Sequence, residues 1–279
     1  MQDSRKREIR IKADSFRVKC KISRYGIIDL FKECERLGYK LLRYPLGDNA
    51  DLGFAVKKDN DIIIFTNSCS RLSREIFTLA HEIGHVILHL NDESSFIDDS
   101  ITINGRSTDK KEQEANYFAA CLLMPADDVG RFIDLGIQDF GEKGLSAMDI
   151  ARIMSEFNVS FDMALNRLES LGIIDLKQKL CLDNERTMKK VGNLLRSVGG
   201  NAKLNEPSNV IDIPHEYIDY VIYNYNHNAV PKETLEKVLA CYQLSIEDIS
   251  DKLVSFDDDD GDDAVSYTHL RAHETDSYL

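Results

Sequence analysis

Apolar positions along the chain fall into stretches of two different periods. In "SREIFTLAHEIGHVILHL" (73–90), Ile76, Leu79, Ala80, Ile83, Ile87 and Leu90 recur three and four residues apart, the spacing of one helical face. "KKEQEANYFAACLLMP" (110–125) repeats the pattern with Ala115, Phe118, Ala119 and Leu122. Pro125 is expected to stop that helix by forcing Met124 out of helical geometry. "IIDLFKECERLG" (27–38) predicts a further helix closed by Gly38. "YKLLRYPL" (39–46) and "LGFAVKKDNDIIIFTN" (52–67) read as strands, and "KKDND" breaks the second into a hairpin. Residues 146–174 predict two short helices around "NVS", and 181–198 and 207–252 are helical again, split by "GGNAKLNEPSN". No internal repeat is visible. The expected fold class is α+β: a small twisted sheet packed on the 73–90 helix, with the 110–125 helix alongside and a helical lobe closing the site.

The chain has 279 residues, of which 43% are apolar and 30% charged, enough to build a packed core. A net charge of −13 disfavours general nucleic-acid binding, which needs Lys and Arg to neutralise phosphates. Eight basic residues crowd the first 21 positions, but no apolar run there resembles a signal peptide. Runs such as "IIIF" (62–65) are too short to span a bilayer. The six cysteines are widely spaced without a CxxC pair, so reduced thiols and a cytoplasmic location are expected.

The expected organisation is a basic leader (1–24), a catalytic domain (25–175), a helical regulatory or partner-binding domain (176–256) and an acidic tail (257–263). From 264 to 279 the character changes abruptly. "VSYTHLRAHET" (265–275) looks like a translated sequencing adaptor, so the native C-terminus is expected to be missing and His269 and His273 are set aside.

Three of the seven histidines lie within "HEIGHVILH" (81–89). His81 and His85 are one helical turn apart, close enough to share one ion. In an H-E-x-x-H pattern the glutamate, Glu82 here, is the proton acceptor rather than a ligand. His89 lies two turns from His81, too far to close on the same ion, and is expected to be packed or to support a ligand. A third ligand must then come from elsewhere. Glu112 and Glu114 on the next helix are both candidates, and only one can face the histidines. Glu112 is favoured, with Asn116 one turn away to steady the site.

"FTLAHEIGHVILH" followed by "EQEANYFAACLLMP", with "YPLGDNADLGFAV" upstream and "VSFDMALNRLESLGII" downstream, resembles the ImmA/IrrE metallo-endopeptidase family over roughly residues 25–175. The resemblance implies that His81, His85 and Glu112 bind the metal and that Glu82 is the general base. It also implies a narrow substrate, an XRE-type helix-turn-helix repressor whose cleavage relieves transcriptional repression in a mobile element or stress response. Two imidazoles and a carboxylate suit zinc best, with manganese or iron also able to use the set. Tyr117 or an N-terminal tyrosine is a candidate oxyanion donor. The alternative is a regulator that binds a repressor or antitoxin without cutting it, with a helix-turn-helix-like C-terminal lobe. Within 149–174, a reading helix at Phe161–Leu171 would present Asp162 and Glu169 beside Asn166 and Arg167, which argues against DNA contact.

Overall fold

A computed structural model describes residues 1–47, 52–58, 61–90, 109–137 and 144–253. The chain begins with helix α1 (Asp3–Arg17), then α2 (Leu30–Arg36) and strands β1 (Lys40–Tyr44), β2 (Gly53–Lys58) and β3 (Asp61–Asn67). Helices α3 (Leu72–Leu88), α4 (Lys110–Leu123), α5 (Ala126–Gly136), α6 (Ala147–Phe157), α7 (Phe161–Ser170), α8 (Leu176–Lys189) and α9 (Val191–Ser197) follow. The last elements are a 3₁₀ turn (Ala202–Asn205), α10 (His215–Asn226), α11 (Lys232–Cys241) and a second 3₁₀ segment (Glu247–Lys252). The architecture is α+β, as the alternation of periods predicts.

The three strands form one sheet in the order β1-β3-β2, with β3 parallel to β1 and antiparallel to β2. Ala55 and Ile64 pair across β2 and β3 and are buried with Leu41 of β1. Helix α3 packs on this sheet and places Leu79, Ala80 and Ile83 in the core. Its other flank receives α4. There an ideal Cβ on Gly84 would lie 3.1 Å from Ala115 Cα and 3.2 Å from a Phe118 ring carbon. The two helices therefore meet nearly backbone to backbone, which is what lets Glu112 reach α3. Gly84→Val is expected to push α4 away, destabilising the fold by about 1–3 kcal/mol and weakening metal uptake. Unchanged chemical denaturation and metal affinity would mean that the close approach is dispensable.

Side chains start several of these helices. Asp29 accepts from Lys32 N at α2, and Asp109 from Lys111 N at α4. Ser146 with Asp149, and Asp175 with Gln178, form reciprocal capping boxes at α6 and α8. Pro125 does end α4, but it also begins α5, which buries Val129 and Ile133.

The division of the chain differs from the expected one. Two compact units are present, Met1–Tyr217 and Ile218–Leu279. The basic leader is helix α1, with Ile9, Ala13 and Phe16 buried in the main core. The 175/176 boundary fails as well, because Leu182, Leu194, Leu195 and Leu204 join that core. Residues 206–212 then return across the sheet. Leu72 N donates to Glu206 O, Asn209 N to Ser68 O, and Arg43 and Asp212 exchange both main-chain bonds at 2.8 and 2.9 Å. This strap pairs with the outer edge of β1 at Arg43. The second unit has its own small core of Val221, Ile222, Leu235, Leu239 and Ile249. The acidic tail and the adaptor-like residues lie outside the described residues, as do Asp59 and Asn60 of the hairpin turn.

Arg167, placed on the candidate reading helix by sequence, is buried in α7. Its Nε donates to Met124 O at 2.9 Å and its Nη2 lies 3.7 Å from Cys121 Sγ. It ties α7 to the end of α4. No helix among the described residues is long and apolar enough to cross a membrane.

Candidate metal centre

The helical period of α3 puts His81 and His85 side by side, and both are buried. Their Nε2 atoms are 2.9 Å apart. From α4, Glu112 brings Oε1 to 3.0 Å of His85 Nε2 and Oε2 to 3.3 Å of His81 Nε2. These three residues form a group with ligand atoms mutually close enough to hold one ion. Glu112 is only 2% exposed, and its Oε2 makes no hydrogen bond. Thr78 Oγ1, one turn before Glu82 on α3, is the other buried side-chain oxygen without a hydrogen bond among the described residues.

The outward-facing ring nitrogens are both engaged. His81 Nδ1 donates to Asn116 Oδ1 at 3.0 Å, which leaves a lone pair on Nε2. His85 Nδ1 lies 3.1 Å from His89 Nδ1. Burial drives His81 toward the neutral imidazole, opposed by the nearby Glu112 carboxylate. Burial alone would raise the Glu112 carboxyl, but the adjacent His81 and His85 rings lower it below the usual carboxylate range. Two imidazole lone pairs and a carboxylate thus converge within about 3 Å, an arrangement that repels itself unless a cation or a proton sits between them. Ligand atoms on a tetrahedral zinc, with bonds of about 2.0–2.1 Å, stand roughly 3.3 Å apart. The donor set and its unsatisfied oxygen fit such an ion.

Glu82, 4% exposed, stands beside this group on α3. An ideal Cβ on Gly53 would come within 3.4 Å of Glu82 Oε1, 2.4 Å of Thr78 Cγ2 and 2.9 Å of Phe65 O. The start of β2 therefore lies directly against the Glu82 carboxylate, at a position that only glycine fits.

The structure brings together His81, His85 and Glu112, sets Glu82 beside them and Asn116 behind His81. Glu114 does not join them. It faces the other way, to Arg5 Nη2 at 2.5 Å and His89 Nε2 at 3.2 Å. His89 stands behind His85 rather than beside it. Tyr117, a candidate oxyanion donor by sequence, pairs with Cys121 one turn along α4, and burial raises its pKa. Sequence reasoning missed Arg5. One basic residue among eight in a charged segment carries no signal that separates it from a solvated charge.

Residues 34–169 match the family described as the IrrE N-terminal-like domain of the M78 peptidases. The chain is also similar to the radiation response metalloprotease IrrE of Deinococcus radiodurans, 34% identical over 91 residues. That stretch covers 32% of this chain and 26% of the relative, so the chain spans about a quarter of the length of the curated relative it matches. All three residues that converge here lie within 34–169. The segment that holds the converging residues is thus similar to an IrrE N-terminal-like domain.

Proposed function

We propose that this chain is a zinc-dependent endopeptidase acting in the cytoplasm, with His81, His85 and Glu112 as metal ligands and Glu82 as general base. The observation that carries this reading is the convergence of two buried imidazole Nε2 atoms and a buried carboxylate, with a second carboxylate one residue from the first ligand. Bound there, a divalent ion supplies Lewis acidity, polarising the scissile carbonyl and lowering the pKa of water toward neutrality. Glu82 accepts the proton of the attacking water at its carboxylate and holds it for the leaving amine. Asn116 keeps the His81 ring turned with Nε2 inward. The β2 edge away from β3, whose first residue adjoins Glu82, offers main-chain groups to an extended substrate segment.

The substrate in this reading is an XRE-type helix-turn-helix repressor, cleaved to relieve transcriptional repression in a mobile element or a stress response. The acidic chain suits a basic DNA-binding partner. A stress setting gains support from the relative's description as a radiation response metalloprotease.

The first test is elemental analysis of the purified chain beside His81→Ala and Glu112→Ala. Near-stoichiometric zinc, manganese or iron in the parent and loss of it in both variants is expected. Metal retained by Glu112→Ala would move the third ligand elsewhere. A parent that takes up no metal even on reconstitution would end the peptidase reading. With metal established, cleavage of candidate XRE-type repressors tests the substrate.

A further inference from the structure

Behind His85 runs a line of polar side chains that leads away from the candidate metal centre to the protein surface. His85 Nδ1 lies 3.1 Å from His89 Nδ1, and His89 Nε2 lies 3.2 Å from Glu114 Oε2. Arg5 Nη2 meets the same Glu114 oxygen at 2.5 Å, while Arg5 Nη1 is steadied by Glu8 at 2.8 Å. Side-chain exposure rises along the line, from 6% at His89 through 17% at Glu114 to 29% at Arg5. The four residues come from three helices: His85 and its cap His89 from α3, Glu114 from α4 and Arg5 from α1.

The hydrogen-bond polarity of this line follows from its outer end. A guanidinium has donors only, and an ionised carboxylate has acceptors only. Arg5 therefore donates to Glu114, and His89 Nε2 must carry the hydrogen that points at Glu114. A neutral imidazole carries one hydrogen, so His89 Nδ1 is an acceptor. The hydrogen between the two rings then belongs to His85 Nδ1, and the lone pair of His85 falls on Nε2. That is the atom 3.0 Å from Glu112 and 2.9 Å from His81 Nε2.

We propose that Arg5, Glu114 and His89 are positioning residues that fix the tautomer and ring orientation of His85, making helix α1 a working part of the metal centre. The proposal rests on the metal-site reading above. It gives the basic N-terminal segment a role beyond core packing, and it gives Glu114 a role distinct from that of the ligand Glu112. His81 receives the same service from Asn116 in a single step. His85 receives it through three residues, the last of them more than 70 positions away in sequence.

The test uses the full chain and two readouts. Zinc affinity is measured by competition with a chromogenic chelator. The His85 tautomer is read from long-range proton–nitrogen NMR of the metal-free protein. The parent is expected to show the Nδ1–H form of His85. His89→Phe is expected to weaken zinc binding by about 10–100-fold, and Arg5→Met and Glu114→Ala by about 3–10-fold, the range of supporting partners and just below it. Both tautomers of His85 should appear in Arg5→Met. Arg5→Lys, which keeps a donor, should restore most of the affinity. Arg5→Met should add nothing in the His89→Phe background, because the two act along one line.

Equal zinc affinity in parent and Arg5→Met, or additive losses in the double variant, would overturn the positioning role while leaving the metal site standing. A parent that binds no zinc would overturn both, a pattern distinct from the first. Chemical denaturation run alongside separates a folding defect, which Arg5→Lys would not share, from loss of positioning.

Discussion

Glu82→Gln is expected to lower peptide-bond cleavage by about 10²–10⁴-fold, the usual contribution of a positioned general base, while leaving metal content unchanged. The amide is nearly the same size as the carboxylate, so the tight fit of Glu82 against Gly53 survives, but it has no oxygen basic enough to take a proton from water. His81, His85 and Glu112 are untouched, so binding of the ion is preserved. The measurement is kcat/KM on a repressor or peptide that the parent cuts, with elemental analysis on the same preparations. A variant keeping more than a tenth of the parent's activity would mean that another group takes the proton. The same pair of proteins separates the enzyme from a non-cleaving regulator. A regulator would bind its partner equally well with either residue, and neither protein would cut it.

Glu75→Ala is expected to destabilise the first unit by about 3–5 kcal/mol, the penalty for leaving one partner of a buried ion pair uncompensated. Glu75 lies on α3, with a side chain fully withdrawn from solvent. Arg43 Nε and Nη2 grip its two oxygens at 2.9 and 3.0 Å, Thr66 donates at 3.0 Å, and Ser208 donates from the strap at 2.7 Å. The Arg43 guanidinium also lies 3.7 Å from the centre of the Phe31 ring. Four elements (β1, β3, α3 and the strap) meet at this one carboxylate, about two turns before His81. Urea denaturation would decide it. A loss under about 1 kcal/mol would show that Arg43 finds water or another acceptor when Glu75 is removed. Ser208→Ala should be far milder, near the roughly 1 kcal/mol of a single hydrogen bond, because Arg43 and Thr66 still satisfy the carboxylate.

The parts of the molecule legible in the sequence are those where the chemistry and the helical period agree. His81 and His85 are one turn apart on a helix whose apolar stripe is plain. Glu112 and Asn116 are one turn apart on the next, and the structure turns His81, His85 and Glu112 toward one point with Asn116 behind His81. The angle between Glu112 and Glu114 around the helix axis allows only one of them to face the histidines; Asn116 one turn on and the family resemblance favour Glu112. What stayed hidden is held by other means. Helix α1 buries a thin line of Ile9, Ala13 and Phe16 inside a sequence that reads as solvated charge, so its local pattern says leader while its packing says core. The strap has no period at all, because main-chain bonds and the Ser208 hydroxyl hold it rather than an apolar stripe. Helix α5 was masked by Pro125, read as a stop when proline serves equally well at a helix start. The boundary expected after 175 failed because hydrophobic residues of α8 and α9 find their partners more than 20 residues upstream, on α6.

The strap also sets an order in time. Arg43 and Ser208 are 165 residues apart. At about 5–20 residues per second of synthesis, β1 emerges from the ribosome roughly 8–30 s before the segment that pairs with its edge. Over that interval the Arg43 main-chain donor and acceptor at the β1 edge lack their Asp212 partners, and Glu75 lacks the Ser208 hydroxyl. Any strand from another nascent chain that meets the β1 edge then competes with residues 206–212 for the same bonds. The burden of keeping this protein from aggregating therefore falls on the window before residue 212 is made, and a chain broken off near 175 would carry the open edge permanently.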